Sequence, residues 1–130
     1  MFVLDTNTPI YFFKGAGRVA DNLLAVVPGE VAIPAVALYE LEAGADSSNV
    51  GRRRRKELDG FAAAICVLPF DQRSAKAVAE LRLALERQGK GIGLLDTLIA
   101  GTVLAHGGIL VTHNTKEFRR VPGLRLVDWF

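Results

Sequence analysis

The chain has 130 residues, of which 50% are hydrophobic and 23% are charged, so we expect one folded domain and exclude a disordered protein. No apolar run reaches the ~20 residues of a membrane helix, and the chain start has no basic segment and carries Asp5, unlike a signal peptide, so we expect a cytoplasmic protein. Cys66 is the only cysteine, which excludes an internal disulfide and a cysteine-rich zinc site, and the net charge of +2 is too small by itself to indicate a nucleic-acid partner.

Apolar runs and breaker residues divide the first half of the chain into strands and helices. The predicted elements, in chain order, are a strand over 2–4, a helix beginning at 9, a helix over 19–27, a strand over 31–33 and a helix over 35–43. Thr8 is the predicted N-cap of the first helix because Pro9 follows it, and Gly44 is the predicted C-terminal cap of the third helix. This half therefore contains two strand-to-helix turns.

The second half continues the alternation. Its predicted elements are a helix over 52–65, a strand over 67–68, a helix capped by Asp71 and closed by a glycine-rich loop over 89–93, a helix over 94–106, and strands over 109–112 and 124–127. Short apolar strands that alternate with helices indicate a parallel sheet covered on both faces, and the chain is too short for an eight-unit barrel. We predict the α/β class: one three-layer α/β/α domain over residues 1–130, with a central, mostly parallel sheet of four to five short strands.

Acidic residues follow several of the predicted strands. Asp5 comes directly after the first strand, Glu40 lies in the helix after the second, Asp96 lies in the first turn of an apolar helix, and Glu117 belongs to the segment after the fourth strand. Ligands of an open parallel sheet collect beyond the carboxyl ends of its strands, so we expect these carboxylates at one edge. Each alone has an ordinary explanation, such as capping a turn or complementing a helix dipole. Several carboxylates in one crevice repel one another, however, and a divalent cation such as Mg²⁺ or Mn²⁺ relieves that cost.

The acids stand in an ordered set of motifs: Leu-Asp-Thr-Asn at 4–7, Tyr-Glu-Leu at 39–41, Leu-Asp at 95–96 and Leu-Val-Thr-His-Asn at 110–114, followed by Glu-Phe at 117–118. In these motifs and their separations the chain resembles PIN-domain ribonucleases, and specifically VapC-type toxins of type II toxin–antitoxin pairs, over nearly its whole length. The resemblance implies a PIN-like domain and an endoribonuclease that depends on Mg²⁺ or Mn²⁺.

The resemblance also implies roles for individual residues. The predicted catalytic residues are Asp5, Glu40 and Asp96, which match the family's three main acids, and Glu117, which is the residue that best fits the family's fourth acidic position in the segment after Asn114. Those that match its metal ligands are Asp5, Asp96 and Glu40. Those that match its supporting polar positions are Thr6, Asn7, Thr112 and Asn114. A VapB-type antitoxin, an RNA substrate and a toxin homodimer follow from the same likeness. Overall similarity to the group that cuts initiator tRNA in the anticodon loop makes that tRNA the expected target, with inhibition of translation and growth as the outcome.

Basic residues are expected to follow the RNA backbone. The candidates are Arg52, Arg53, Arg54, Arg55, Lys116, Arg119 and Arg120. The cationic block that begins at Arg52 could equally be a solvated helix start. His106 is interpreted as a cation at a helix C-terminus and His113 as a residue able to approach substrate, and neither is assigned to catalysis.

Two other functions stay open on the sequence alone. A haloacid-dehalogenase-like phosphatase would use Asp5 as a nucleophile, although that chemistry requires a second Asp where this chain has Asn7. A non-catalytic PIN-like module would bind RNA or a protein partner without cutting. Apolar residues over 10–13 and 39–41 belong either to the core or to an exposed groove for a partner helix.

Overall fold

A five-stranded sheet organises the chain, whose computed structural model describes residues 1–47 and 51–130. The strands are β1 (Phe2–Leu4), β2 (Val31–Pro34), β3 (Cys66–Leu68), β4 (Ile109–Val111) and β5 (Leu126–Val127). They pair in the order β3-β2-β1-β4-β5, and every pairing is parallel. The predicted α/β class and the parallel sheet are therefore confirmed.

Seven α-helices connect and cover the described strands. They are α1 (Asn7–Lys14), α2 (Val19–Leu24), α3 (Ala35–Ser47), α4 (Gly51–Ala64), α5 (Gln72–Arg87), α6 (Leu94–His106) and α7 (Thr115–Phe118). A single turn of 3₁₀ helix (Pro28–Glu30) leads into β2. Over the described ranges, no helix combines the length and apolar character that crossing a bilayer requires.

The sheet has a core on each face because successive strand residues point to opposite sides. Val3 and Leu110, opposite each other in β1 and β4, belong to a core with Ile99 of α6. Leu4 and Val111, the next pair along, belong to a second core with Leu23 of α2. Helices therefore cover both faces, which gives the predicted three layers.

Three predicted helix boundaries are wrong. Helix α1 begins at Asn7, and Thr8 is not its N-cap but lies in its first turn, because the Asp5 carboxylate accepts the Thr8 N–H at 3.0 Å and takes over the capping role. Helix α3 runs through Gly44 to Ser47 instead of ending at 43, since burial of Ala45 on the helix outweighs the ~1 kcal/mol preference against a helical glycine. Helix α2 ends at Leu24 rather than 27.

Candidate active site

Asp5 is a buried carboxylate held at the carboxyl end of the central strand. Its Oδ1 accepts hydrogen bonds from the Thr8 hydroxyl at 2.6 Å and the Thr8 N–H at 3.0 Å, and its Oδ2 accepts from the Thr112 hydroxyl at 2.6 Å. The Asp5 N–H donates to the carbonyl of Val111 at 3.1 Å, which continues the β1–β4 ladder. Because Asp5 is only 5% exposed, these donors replace the water that the carboxylate gives up on folding.

Glu40 reaches the same end of the sheet from α3. Its Oε1 accepts a hydrogen bond of 2.5 Å from the hydroxyl of Thr6, the residue after Asp5. The bond joins the turn that follows β1 to the helix that follows β2, across 34 residues of sequence. Asn7, beside this turn, is exposed as the first residue of α1.

Glu117, in the first turn of α7, is oriented by two donors. The Asn114 side-chain amide donates to its Oε2 at 2.8 Å, and the Gly93 N–H donates to its Oε1 at 3.3 Å. The Asn114 N–H in turn donates to the Thr112 hydroxyl oxygen at 3.0 Å. Glu117 thus connects the loop before α6 to the segment after β4.

Asp96 lies in the first turn of α6 and interacts electrostatically with the other three acids. Burial, as the largest cause, and the negative charges of Glu117, Glu40 and Asp5, in that order of size, together raise the pKa of its carboxyl to about 6. Within the described part of the chain, its carboxylate accepts no hydrogen bond. The four predicted acids are therefore close enough to interact electrostatically at the carboxyl ends of the strands, a region we call the acidic crevice. Among the described residues, Asp96 is the acid of this group that has no hydrogen-bond donor.

The donor set suits a hard divalent ion more than zinc, since it consists of carboxylate and hydroxyl oxygens. Among the described residues, no three Asp, Glu, His or Cys side chains are close enough together to form a complete metal-binding group. Hydroxyl and amide groups donate hydrogen bonds to the carboxylates of Asp5, Glu40 and Glu117. The half-buried carboxylate of Asp96 accepts none from the described residues. A cation in this crevice would offset the mutual repulsion that raises the pKa of Asp96.

The cationic block in α4 divides into residues with different surroundings. Arg55 forms ion pairs with Glu42 and Asp46 of α3, and the hydrogen bond to Glu42 is the largest cause that raises the pKa of Arg55. Arg53 pairs with Glu57 one helical turn away. The Arg54 guanidinium instead lies over the Phe13 ring, 4.9 Å from its centroid. Arg55 thus holds α3 to α4.

The remaining predicted residues fall outside the acid cluster. Lys116, Arg119 and Arg120 are exposed on and after α7. His106 ends α6 and lies 3.9 Å from the carboxylate of Asp71. His113 contacts the Asp128 carboxylate at 3.0 Å and stacks on Phe130, with the ring centroids 4.1 Å apart.

Thr8 is the site residue that the sequence reasoning missed. It is 2% exposed and donates both its N–H and its hydroxyl to Asp5. The signal was available, because an Asp followed three residues later by Thr is a common local side-chain-to-backbone hydrogen-bonding pattern. Pro9, which follows Thr8, instead favours an N-cap role for Thr8, and that role involves no contact with Asp5.

Parallel strands that end in clustered carboxylates are consistent with a metal-assisted nuclease, and residues 2–124 match the model of the PIN domain. The chain therefore belongs to the PIN domain family. It is 38% identical to the tRNA(fMet)-specific endonuclease VapC of Shigella flexneri, over 98% of this chain and 97% of that protein. It is 34% identical to Ribonuclease VapC2 of Rickettsia felis, over 99% of this chain and 98% of that protein.

Comparison with solved structures supports the same family. The crystal structure of VapBC2 from Rickettsia felis bound to a promoter DNA fragment contains a chain that superposes with a TM-score of 0.92 and 33% identity, covering 99% of this chain and 98% of that one. Within the PIN family, the chain is a ribonuclease of the VapC type. The predicted family and enzyme class are confirmed, and the phosphatase alternative is set aside.

Proposed function

We propose that this chain is the toxin of a VapBC-type pair and cuts RNA with the help of Mg²⁺ held by Asp5, Glu40 and Asp96, with Glu117 completing the site. The observation that supports the metal centre is the set of hydrogen bonds that joins the acid-bearing segments: Thr112 donates to Asp5, Thr6 donates to Glu40, and Gly93, directly before the helix of Asp96, donates to Glu117. The raised pKa of Asp96 agrees with this convergence. Glu117 and Glu40, each oriented by its own donors, are the groups available to position the attacking water.

A phosphodiester is already anionic, and attack by water adds negative charge. A bound Mg²⁺ supplies Lewis acidity, stabilising that charge and lowering the pKa of the attacking water. The protein's contribution is to fix the carboxylates: Thr8 and Thr112 hold Asp5, and Thr6 holds Glu40. Such outer partners typically account for ~10–100-fold of metal affinity or activity.

Cleavage of total RNA tests the proposed chemistry. The purified chain should produce new 5′ ends with Mg²⁺ or Mn²⁺ and none with EDTA, and the isosteric changes Asp5→Asn and Asp96→Asn should each abolish cutting. Glu80→Gln, on an exposed part of α5, is the matched control and should cut normally. Undiminished cleavage by both Asn variants would remove the metal centre from the proposal.

The proposed substrate is initiator tRNA, cut in the anticodon loop. A full-length relative is named a tRNA(fMet)-specific endonuclease, and a toxin with this target would act in the cytoplasm, where translation begins. Mapping of the new 5′ ends decides the point. Cuts spread evenly over messenger and ribosomal RNA would remove the tRNA assignment while leaving the nuclease intact.

A VapB-type antitoxin is the proposed protein partner, and an apolar concavity of about 610 Å³ is its proposed docking surface. The concavity lies between α1, α2 and α4, and Phe12, Phe13, Leu24 and Phe61 are among its lining residues. Leu24, which is 76% exposed, borders the phenylalanine rings of the concavity, and together they form a contiguous apolar surface of the kind that a partner covers. An amphipathic helix fits such a groove.

The groove only partly matches the predicted one. Phe12 and Phe13 line it, whereas Leu41 is buried in the core and Tyr39 lies 62% exposed outside it.

The predicted toxin homodimer also belongs to the proposal. Light scattering of the toxin, alone and with its antitoxin, would measure both assemblies, and a monomeric toxin would remove the homodimer.

A further inference from the structure

Two concavities lined by cations lie on elements that also carry acids of the crevice, α3 for Glu40 and α7 for Glu117. The first, of about 290 Å³, lies between α1, α3 and α4, and its lining includes Lys14, Glu40 and Arg54. The second, of about 510 Å³, is lined by two residues of the glycine-rich loop and three cations at α7: Gly89, Lys90, Lys116, Arg119 and Arg120. Lys14 and Lys90 were not among the sequence candidates for RNA binding.

Arg54 has the surroundings of a ligand-binding arginine. Its guanidinium is partly buried and rests on the Phe13 ring, which restricts its orientation. Its Nη1 is buried and has no hydrogen-bond partner among the described residues, in contrast to the carboxylate-paired Arg55. A charged donor without an acceptor is costly, and rotation of the guanidinium toward the concavity would give it a phosphate oxygen.

The second concavity presents four cations to solvent. Within residues 1–47 and 51–130, none of Lys90, Lys116, Arg119 and Arg120 forms an ion pair with a carboxylate. Arg120 donates to the carbonyl of Gly91 at 3.2 Å, which holds the loop against α7. The intervening acid, Glu117, is oriented toward Gly93 and Asn114 instead. These cations are therefore available to an anion from outside the chain.

The two concavities adjoin different acids of the crevice. Glu40 lines the first, whereas Glu117 lies between the cations of the second in sequence and is held by the same loop. In the sheet, β1, which is followed by Asp5, lies between β2 and β4. The helix of Glu40 follows β2 and the helix of Glu117 follows β4, so these two acids belong to elements on opposite sides of Asp5. An acidic crevice on its own repels a polyanion, and flanking cations are what allow one to enter.

We propose that a single RNA strand crosses the acidic crevice, with a phosphate on one side of the scissile bond held by Lys14 and Arg54 and a phosphate on the other side held by Lys90, Lys116, Arg119 and Arg120. The inference rests on the proposed ribonuclease function. It assigns the partner of both concavities as the sugar–phosphate backbone, and an acidic protein segment is an alternative that the test separates.

Binding of an initiator tRNA anticodon stem-loop to the inactive Asp96→Asn chain provides the first test, read by fluorescence anisotropy. Added in that background, Lys14→Ala with Arg54→Ala, and separately Lys90→Ala with Arg119→Ala, should each weaken binding by ~10-fold. The slope of log K against log salt should become shallower by ~0.7 for each phosphate that the variant no longer neutralises. Arg82→Ala, whose charge pairs with Glu86 on exposed α5, is the control and should change little.

A scan with single methylphosphonate substitutions in the same RNA provides the second test. Each pair of variants should become insensitive to neutralisation of a different phosphate, and the two phosphates should lie on opposite sides of the cleaved bond. Insensitivity to the same phosphate, or unchanged sensitivity in both pairs, would overturn the proposal. Loss of antitoxin binding with unchanged RNA affinity would overturn it as well.

Two further results keep the inference separate from the proposed function and from folding. If the Asp96→Asn chain does not bind the stem-loop at all, the tRNA assignment fails and this inference fails with it; if it binds and the cation variants match Arg82→Ala, the inference alone fails. Should Arg54→Ala lower the melting temperature, the single change Lys14→Ala carries the test, because Lys14 is exposed.

Discussion

Asp5 shows how much of the site is readable from one residue and its neighbours. Its position directly after an apolar run led to two predictions: an acid at the edge of the sheet, and a side chain that caps a turn. The Asp5 carboxylate does both, since it accepts the Thr8 N–H at the start of α1 and lies near the other acids of the crevice. Its bond to Thr112 spans 107 residues and exists because β1 pairs with β4. That register is a property of the whole sheet, so the pattern of residues around Asp5 could not predict it.

Replacing Thr112 by Val should separate positioning from packing. The change keeps the shape of a fully buried side chain but removes the donor to Asp5 and the acceptor of the Asn114 N–H. We expect a loss of ~1–3 kcal/mol in unfolding free energy from the unpaired groups. We also expect a fall of ~10–100-fold in metal affinity and RNA cleavage.

Thr102→Val is the matched control for that change. Thr102 is equally buried, and its hydroxyl donates to the Leu98 carbonyl inside α6 at 2.8 Å. It should destabilise the fold without changing cleavage by the molecules that stay folded. Equal losses of activity per folded molecule in the two variants would show that Thr112 has no positioning role.

Asp96→Asn should stabilise the metal-free chain while abolishing cleavage. The folded-state pKa of Asp96 is raised from 3.8 to about 6, so the folded protein binds more protons than the unfolded one between these values, and its stability falls as pH rises through this window. The Asn variant avoids that loss. In EDTA, its melting temperature should exceed the parent's by ~3 °C above pH 6 and match it near pH 4.

Thermal melting across pH 4–8 measures this difference. Glu80→Gln changes an exposed carboxylate and should show no comparable dependence. An Asp96→Asn chain that melts below the parent at every pH would contradict the raised pKa.

At the scale of elements, helices with a continuous apolar face and a clear start were predictable. The bounds of α6 agree with the prediction, and Asp71 caps α5 as expected, with its Oδ1 accepting the Ser74 N–H at 2.9 Å. Helix α3 continues past Gly44 because Ala45 is buried in the core, and that contact depends on tertiary packing. Local propensity therefore predicted element types better than element ends.

Asp71→Ala should weaken α5 without affecting the site. The backbone hydrogen bond from Ser74 is the largest cause that lowers the pKa of Asp71, so the carboxylate stabilises the fold above its ordinary pKa of 3.8 and loses this effect as pH falls through its lower folded-state value. We expect the melting temperature to drop by a few degrees at pH 7, with a smaller difference in strong acid.

RNA cleavage provides the functional check on Asp71. Its carboxylate lies near His106, at the opposite end of α6 from Asp96, so cleavage by the folded variant should equal that of the parent. A loss of activity at a temperature where the variant is fully folded would show that α5 and the acidic crevice are coupled.

At the scale of the whole molecule, family motifs predicted more than physical patterns did. They located the acids and the enzyme class, whereas the apolar groove requires α1, α2 and α4 to meet in space. Phe61 contacts Phe13 at a centroid distance of 5.6 Å although 48 residues separate them, and no periodicity within either helix indicates this contact. The sequence therefore predicted an apolar groove, but of the two segments proposed to line it, only residues 10–13 contribute to the groove observed.

Leu24→Glu should release the toxin from its antitoxin without changing the nuclease. The side chain is 76% exposed, so a charge there has little effect on folding, but it would be desolvated under a docked apolar helix. We expect antitoxin affinity to fall by at least ~10-fold. Titration of RNA cleavage with antitoxin measures the effect, and Leu83→Glu, at an exposed leucine of α5 outside the groove, is the control. Full inhibition at parental antitoxin concentrations would contradict the assigned surface.

The strand order has a consequence for synthesis of the protein. The first strand made, β1, becomes the centre of the sheet only when β4 arrives beside it, and Asp5 then gains its bond to Thr112. Asp96 and Glu117 also come from the last third of the chain. A nascent chain therefore cannot bring the four acids together until β4 and α7 have been made, so the proposed nuclease centre forms only after the segment that carries Thr112 and Glu117 has been synthesised.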